Sequence, residues 1–407
     1  MAVTSMGVHT GLQRTSIADL RDLWTRIEAL GFDYISIWDH FYSADFTEPD
    51  CHEAVACHAA LACTTSRVRC GSLVYCAAYR HPVVLAKVAA TIDHLSNGRA
   101  ELGVGAGWAA NEFAAAGIPF GSNKERLDIL EEAVQCVRML LHDDVANFSG
   151  NYYTLDNFRL EPRPVQSHLP VVVGGRGEKR TLAIVAKYAD RWNTAYVSPD
   201  EFVHLKDVLA SHCARVGRDP AEIHCSINLG YATSDDHLRH QFGLLADAIR
   251  GGVLMGSDDE IVDRVGHYVD AGADQINLAL RTPWSAEWLE GIAPKLLALR
   301  ALATSKSGPT RSPVPRLRSS PRDRRGRTGP RTTARSASAV SKRRSPTSCA
   351  RSPTGGRRSP ATAARSSCTR PTTTARCGPV GPTGCCASST CGPNGRPPSA
   401  HAPTSRT

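Results

Sequence analysis

The chain has 407 residues, 42% of them hydrophobic and 21% charged, with a formal net charge of +9. That length and apolar share allow a full-size buried core and exclude a wholly disordered or fibrous chain. The charge is unevenly placed: from Thr304 onward Asp323 is the sole acid among many arginines, so an acidic body over residues 1–303 carries a strongly basic tail over 304–407.

In chain order, a short strand is predicted near Met6–His9, then a helix over Ser16–Leu30 that places Ile17, Leu20, Leu23, Trp24, Ile27 and Leu30 on one face. Ser16 is its expected cap and Gly31 its stop. Strands two and three are predicted at Tyr34–Trp38 and Val68–Tyr75, a helix at Pro82–Leu95, strand four at Ala100–Val104 and a helix at Glu125–Leu141. An insertion at Asn147–Pro170 interrupts the rhythm. It resumes with strands at Val171–Val173, Arg191–Ala195, Glu222–Tyr231 and Gln275–Leu280, with helices from Leu182, Pro199, Asp259 and Ala286. Eight strands alternating with helices over about 300 residues fit an α/β chain folded as a (β/α)8 TIM barrel. The rival, a doubly wound open sheet, lacks its dinucleotide signature: Gly103, Gly105 and Gly107 are spaced G-x-G-x-G and follow strand four.

The tail is almost wholly Arg, Ser, Pro, Thr, Gly, Ala and Cys, without aromatic residues, and is expected to be disordered because it cannot offset its ordering entropy. Three readings fit it. A nucleic-acid arm would use clusters such as Lys342-Arg343-Arg344 on phosphates but lacks stacking rings. A proline-rich docking linker is the second. The third, which we prefer, is a frameshift product, GC-rich coding DNA read out of frame; it gives the tail no function and makes nucleic acid no expected partner. In the body, eight cysteines without C-x-x-C spacing suggest a reducing compartment. With neither a signal peptide nor a membrane span in the pattern, a cytoplasmic protein is expected.

Three motifs fall where predicted strands give way to loops: Trp38-Asp39-His40-Phe41, Gly103-Val104-Gly105-Ala106-Gly107-Trp108 and Gly174-Gly175-Arg176-Gly177-Glu178-Lys179. Barrel active sites form from loops at the strands' C-terminal ends, so one shared pocket is implied. Asp39 beside His40 suggests a carboxylate that fixes an imidazole for proton transfer, against an ordinary loop pair. Gly103 to Gly107 suit close approach of backbone to a planar ligand, or simply a tight turn. Trp108 stacks on a ring or plugs the mouth, and Glu112 is a helix N-terminal acid or a site acid. Gly174-Gly175-Arg176-Gly177 ahead of a helix opening near Glu178 reads as an anion site, against a plain βα turn. No metal site is expected. His52 and His58, or His237 and His240, lack a matching carboxylate or thiolate set, and no G-x-S-x-G elbow is present.

These motifs, with Leu95-Ser96-Asn97-Gly98-Arg99, Gly117-Ile118-Pro119-Phe120 and Ala189-Asp190-Arg191-Trp192, resemble the luciferase-like monooxygenase superfamily, and within it the branch that uses the deazaflavin coenzyme F420. The resemblance spans nearly all of residues 1–303. It implies that His40 and Asp39 lie beside the deazaflavin ring. It implies too that a strand-three bulge at Ser72-Leu73, carrying a non-prolyl cis peptide in relatives, backs that ring. Gly105, Ala106, Gly107 and Trp108 would flank the cofactor, and Gly174, Gly175, Arg176, Gly177 and Glu178 would hold its phosphate. His40, Asp39 and Glu112 are the expected catalytic residues. Trp108 departs from relatives that oxidise a sugar phosphate, which carry a catalytic glutamate there. An apolar or aromatic small-molecule substrate is expected, walled by Trp38, Phe41, Tyr42, Tyr75 and Trp108. The expected function is F420-dependent hydride transfer; the alternatives are a reduced-FMN monooxygenase and a non-catalytic flavin- or nucleic-acid-binding protein. The family's usual homodimer is a further implication.

Overall fold

The computed structural model describes residues 5–43 and 49–305. Eight parallel strands close into a barrel: β1 Ser5–Thr10, β2 Tyr34–Ile37, β3 Arg69–Ser72, β4 Ala100–Gly105, β5 Val171–Gly174, β6 Arg191–Ala195, β7 His224–Tyr231 and β8 Gln275–Leu280. Each pairs with its successor, and β8 returns to β1 with Gly7 opposite Asn277. The expected (β/α)8 barrel is therefore the fold. The boundary expected at residue 303 falls inside the last helix, Ala286–Ser305, and the tail beyond it lies outside the described residues.

Local sequence explains the outer helices. In Ile17–Ala29, Ser16 and Asp19 form a reciprocal capping box, Leu20, Leu23, Trp24 and Ile27 are buried, and Gly31 leaves at φ +97°. Ile17, expected on that face, is instead 39% exposed. The helix Ala54–Thr64 was not foreseen: Ala, Cys and Leu surround it on all sides, so no apolar stripe marks it. The expected insertion contains an antiparallel hairpin, Ala146–Ser149 with Thr154–Phe158.

The barrel interior is partly polar. Asn277 donates to Asn228 Oδ1 at 2.9 Å, Asn193 donates to the same oxygen at 3.2 Å, and Gln275 donates to Asn277 Oδ1 at 2.8 Å. These amides satisfy one another away from water. Gly7 makes room for them, because a Cβ there would stand 2.3 Å from Asn277 Oδ1. No helix among the described residues is long and apolar enough to cross a membrane.

Candidate active site

At the C-terminal mouth, the loop after β2 meets the helix Ala110–Ala116 that follows β4. Glu112, in that helix's first turn, is fully buried. His40 Nδ1 lies 3.0 Å from Glu112 Oε2, and the N–H groups of Phe41 and Tyr42 donate to Oε1 at 3.2 and 3.1 Å. The Tyr79 hydroxyl donates to Oε2 at 3.2 Å. A buried carboxylate needs such a set of donors, and by accepting the Nδ1 proton it leaves Nε2 as the imidazole's working atom. Trp38 and Trp108 meet the His40 ring edge to face at 5.7 and 5.5 Å. Trp108 is 54% exposed and marks the open side.

Asp39 does not play the orienting role expected from its adjacency to His40. Successive residues point to opposite sides of an extended chain. Asp39 accepts two hydrogen bonds from Arg80, at 2.6 and 3.0 Å, and one from the Cys76 N–H at 2.9 Å. Arg80 also reaches Glu53 at 2.6 Å. Burial opposes the Arg80 charge, but its bonds and attraction to Asp39, then Glu53, outweigh that and push its pKa up. Asp39 thus ties the His40 loop to the segment after β3.

That segment is the bulge expected at Ser72-Leu73. A non-prolyl cis peptide joins Leu73 to Val74, and the strand resumes as Tyr75–Cys76 alongside the end of β4. Where the ladder lapses, the Ser72 hydroxyl donates to the Gly103 carbonyl at 3.0 Å and accepts from the Gly103 N–H at 3.1 Å. The glycines have a packing reason. A Cβ on Gly103 would stand 2.0 Å from Ser72 O, and one on Gly105 or Gly174 would stand 2.5 or 2.7 Å from a Val74 methyl. One valine thus joins the Gly motifs of β4 and β5. A Cβ on Gly107, at φ +77°, would crowd Cys76 and Phe113, and Ala106, next to it in the chain, is half-buried.

The structure adds groups that the motif search missed. His9, near the end of β1, bonds the Ser36 hydroxyl at 2.9 Å; burial, then the charges of Arg281 and His40, lower its pKa to about 3. The nearly buried Arg281 lies 4.8 Å from the Trp38 ring and 3.7 Å from that of Phe242, and donates to the Tyr196 hydroxyl at 3.0 Å. It adjoins a cavity of about 380 Å³ whose walls include Tyr231, His237, Gln241, Leu280 and Trp284. His9 ends a predicted strand and Arg281 directly follows one, which is the one signal that could have found them. Of the expected walls, Tyr75 is withdrawn: it is fully buried and its hydroxyl bonds His58 at 2.8 Å. Phe41 is stacked on Tyr79 at 4.5 Å.

The Gly174–Glu178 segment precedes a helix that opens at Thr181, three residues after the start near Glu178 that the anion-site reading requires and one before the start expected at Leu182. The Gly175 N–H is committed to the Asn193 carbonyl at 2.9 Å, and the Gly175 carbonyl accepts from Trp192 Nε1 at 2.8 Å. Arg176 pairs with Glu201 at 3.4 Å, while Glu178 meets His204 at 3.1 Å; all four side chains are largely exposed. A Gly177 Cβ would stand 2.7 Å from Thr181 Oγ1.

A closed parallel barrel with a carboxylate-held histidine, two tryptophans and a bulged third strand at its C-terminal mouth defines a TIM-barrel protein with its site where barrel enzymes carry theirs. The chain belongs to the luciferase-like monooxygenase family, whose model matches residues 1–242. It is 34% identical over 193 residues to an F420-dependent glucose-6-phosphate dehydrogenase of Amycolatopsis mediterranei, covering 47% of this chain and 56% of the relative. It is 31% identical over 177 residues to an FMNH2-dependent dimethylsulfone monooxygenase of Pseudomonas fluorescens, covering 43% and 47%. The chain spans about half the length of these relatives. Among solved structures, an F420-dependent secondary alcohol dehydrogenase in complex with an F420-acetone adduct shares the fold, with a TM-score of 0.65 at 22% identity over 72% of this chain and 99% of the other.

Proposed function

We propose that this protein is an oxidoreductase that transfers a hydride between coenzyme F420 and a small, largely apolar organic substrate. The observation that carries the reading is the His40–Glu112 pair at 3.0 Å, set between Trp38 and Trp108 at the barrel mouth. The match to an F420-dependent dehydrogenase supports the choice of cofactor. The residues present suit a flat ring system: the bulge locked by Val74 gives a fixed wall, and the Asp39–Cys76 bond ties that wall to the His40 loop.

When bound, the deazaflavin supplies hydride chemistry at carbon with little reactivity toward oxygen. The protein does the rest. Glu112 holds the imidazole through Nδ1, which leaves His40 Nε2 to give a proton to, or take one from, a substrate oxygen. The buried Trp38 screens the inner side of the His40 ring from water, while Trp108 stands at the open mouth. The segment Gly174–Glu178, with Arg176, is our candidate for the cofactor's phosphate. Leu280, Tyr231 and Trp284 offer apolar walls for the substrate.

A reduced-FMN monooxygenase is the second reading, favoured by the dimethylsulfone monooxygenase match. Titration of the purified protein with F420 and with FMN, followed by fluorescence quenching, separates the two. Tighter binding of F420 is expected. Tighter FMN binding would establish the second reading instead, and binding of neither would overturn both.

A further inference from the structure

The opposite end of the barrel carries a second constellation. His142 ends the helix Asn123–His142, His168 lies just before β5, and Asp190 lies just before β6. One ligand atom from each falls within 4.8 Å of the others. The two imidazoles stack 4.5 Å apart at 9°, and His168 Nε2 is 3.0 Å from Asp190 Oδ1. His142 Nε2 is shielded from solvent and has no hydrogen-bond partner among the described residues. A buried imidazole nitrogen left unsatisfied costs stability, so its presence asks for a partner. Asp190 is meanwhile fixed, because its Oδ2 accepts the Val171 N–H at 2.8 Å.

We propose that His142, His168 and Asp190 form a binding site for a divalent transition metal of the zinc class, remote from the active site. Two imidazoles and one carboxylate are the donor set that zinc accepts, with water completing the shell. The metal would take the orphaned nitrogen of His142 and replace the His168–Asp190 contact. Two cations oppose the site: Arg138 approaches Asp190 Oδ1 at 3.3 Å and Arg163 adds a second positive charge near His142, but each is held by backbone carbonyls, Arg138 by Tyr188 at 2.7 Å and Arg163 by Asp143 at 2.7 Å. The site would clamp the end of one outer helix to the entrances of two barrel strands.

The test is calorimetric titration of the full-length, untagged, chelator-treated protein with zinc chloride, alongside His168→Gln. His168 is half exposed, so its replacement spares the core. The expected result is a zinc equivalent per chain that disappears in the variant. At zinc 100-fold above Kd the parent's Tm is expected to rise by about 5 °C and the variant's to stay put. Cobalt substitution should show ligand-field bands without thiolate charge transfer, which separates this site from cysteine sites. Absence of binding with a Kd below about 1 µM, or undiminished binding in His168→Gln, would overturn the proposal. If the variant fails to fold, modification of the parent by diethyl pyrocarbonate decides: zinc must protect the half-exposed His168, and an unprotected His168 refutes the site.

Discussion

Glu112 Oε2 lies 3.0 Å from His40 Nδ1 although 72 residues separate them in sequence. The same carboxylate binds the backbone of Phe41 and Tyr42, so it fixes both the ring and the loop that carries it. On the proposed mechanism, His40→Ala is expected to retain cofactor binding and lose roughly 100- to 10,000-fold in turnover, the range for removal of a positioned acid or base. Glu112→Gln is expected to follow it with a loss of about 100-fold, because a neutral amide accepts more weakly from Nδ1 and holds the loop less firmly. Steady-state kinetics would show this. Recovery of near-parental turnover in His40→Ala at saturating cofactor would remove His40 from the chemistry.

Replacing Gly105 with Ala is expected to destabilise the protein by about 1–3 kcal/mol through overpacking against Val74. Val74→Ala should recover part of that loss when the two are combined, because the clash at 2.5 Å is with a Val74 methyl. The same partner should not rescue Gly103→Ala, where the obstruction is the Ser72 carbonyl. Denaturant unfolding of the single and double variants measures the coupling, and strict additivity for Gly105 would count against the bulge as the reason for that glycine.

His9 predicts an acid sensitivity. Its folded pKa of about 3 lies below the unfolded value of 6.5, so between those limits the unfolded chain binds the extra proton. Stability conferred by the neutral imidazole is therefore present above pH 6.5 and is lost as pH falls toward 3, by about 1.4 kcal/mol per pH unit. His9→Gln should flatten this part of the unfolding free energy between pH 6.5 and 4. Parallel pH slopes for parent and variant would show that His9 already accepts a proton in the folded state.

The phosphate assignment is best tested at Arg176. Gly175 sits at φ +131°, where any side chain is strained, so a substitution there would mix backbone cost with ligand effects. Arg176 is exposed, and Arg176→Ala is expected to leave Tm within about 2 °C while weakening F420 binding roughly tenfold, the usual scale for one charge-assisted bond. Unchanged affinity would put the phosphate elsewhere.

Local pattern determined much of this protein. The eight barrel strands, the capped first helix and the three motifs at strand ends were legible because periodicity, caps and glycines act over a few residues. The bulge after β3 was placed through the family resemblance, and Leu73–Val74 now carries its cis bond. Partnership was different. Adjacency pointed to Asp39 as the support of His40, whereas closing the barrel brings Glu112 to the imidazole and Arg80 to Asp39. His9 and Arg281 reach Trp38 from β1 and from the end of β8 because the last strand pairs with the first. His142, His168 and Asp190 likewise meet only after an outer helix packs beside the barrel with its end at the strand entrances. Sequence fixes which side chains an element presents, but tertiary closure decides which of them touch, because side chains far apart in the chain meet only when the barrel forms.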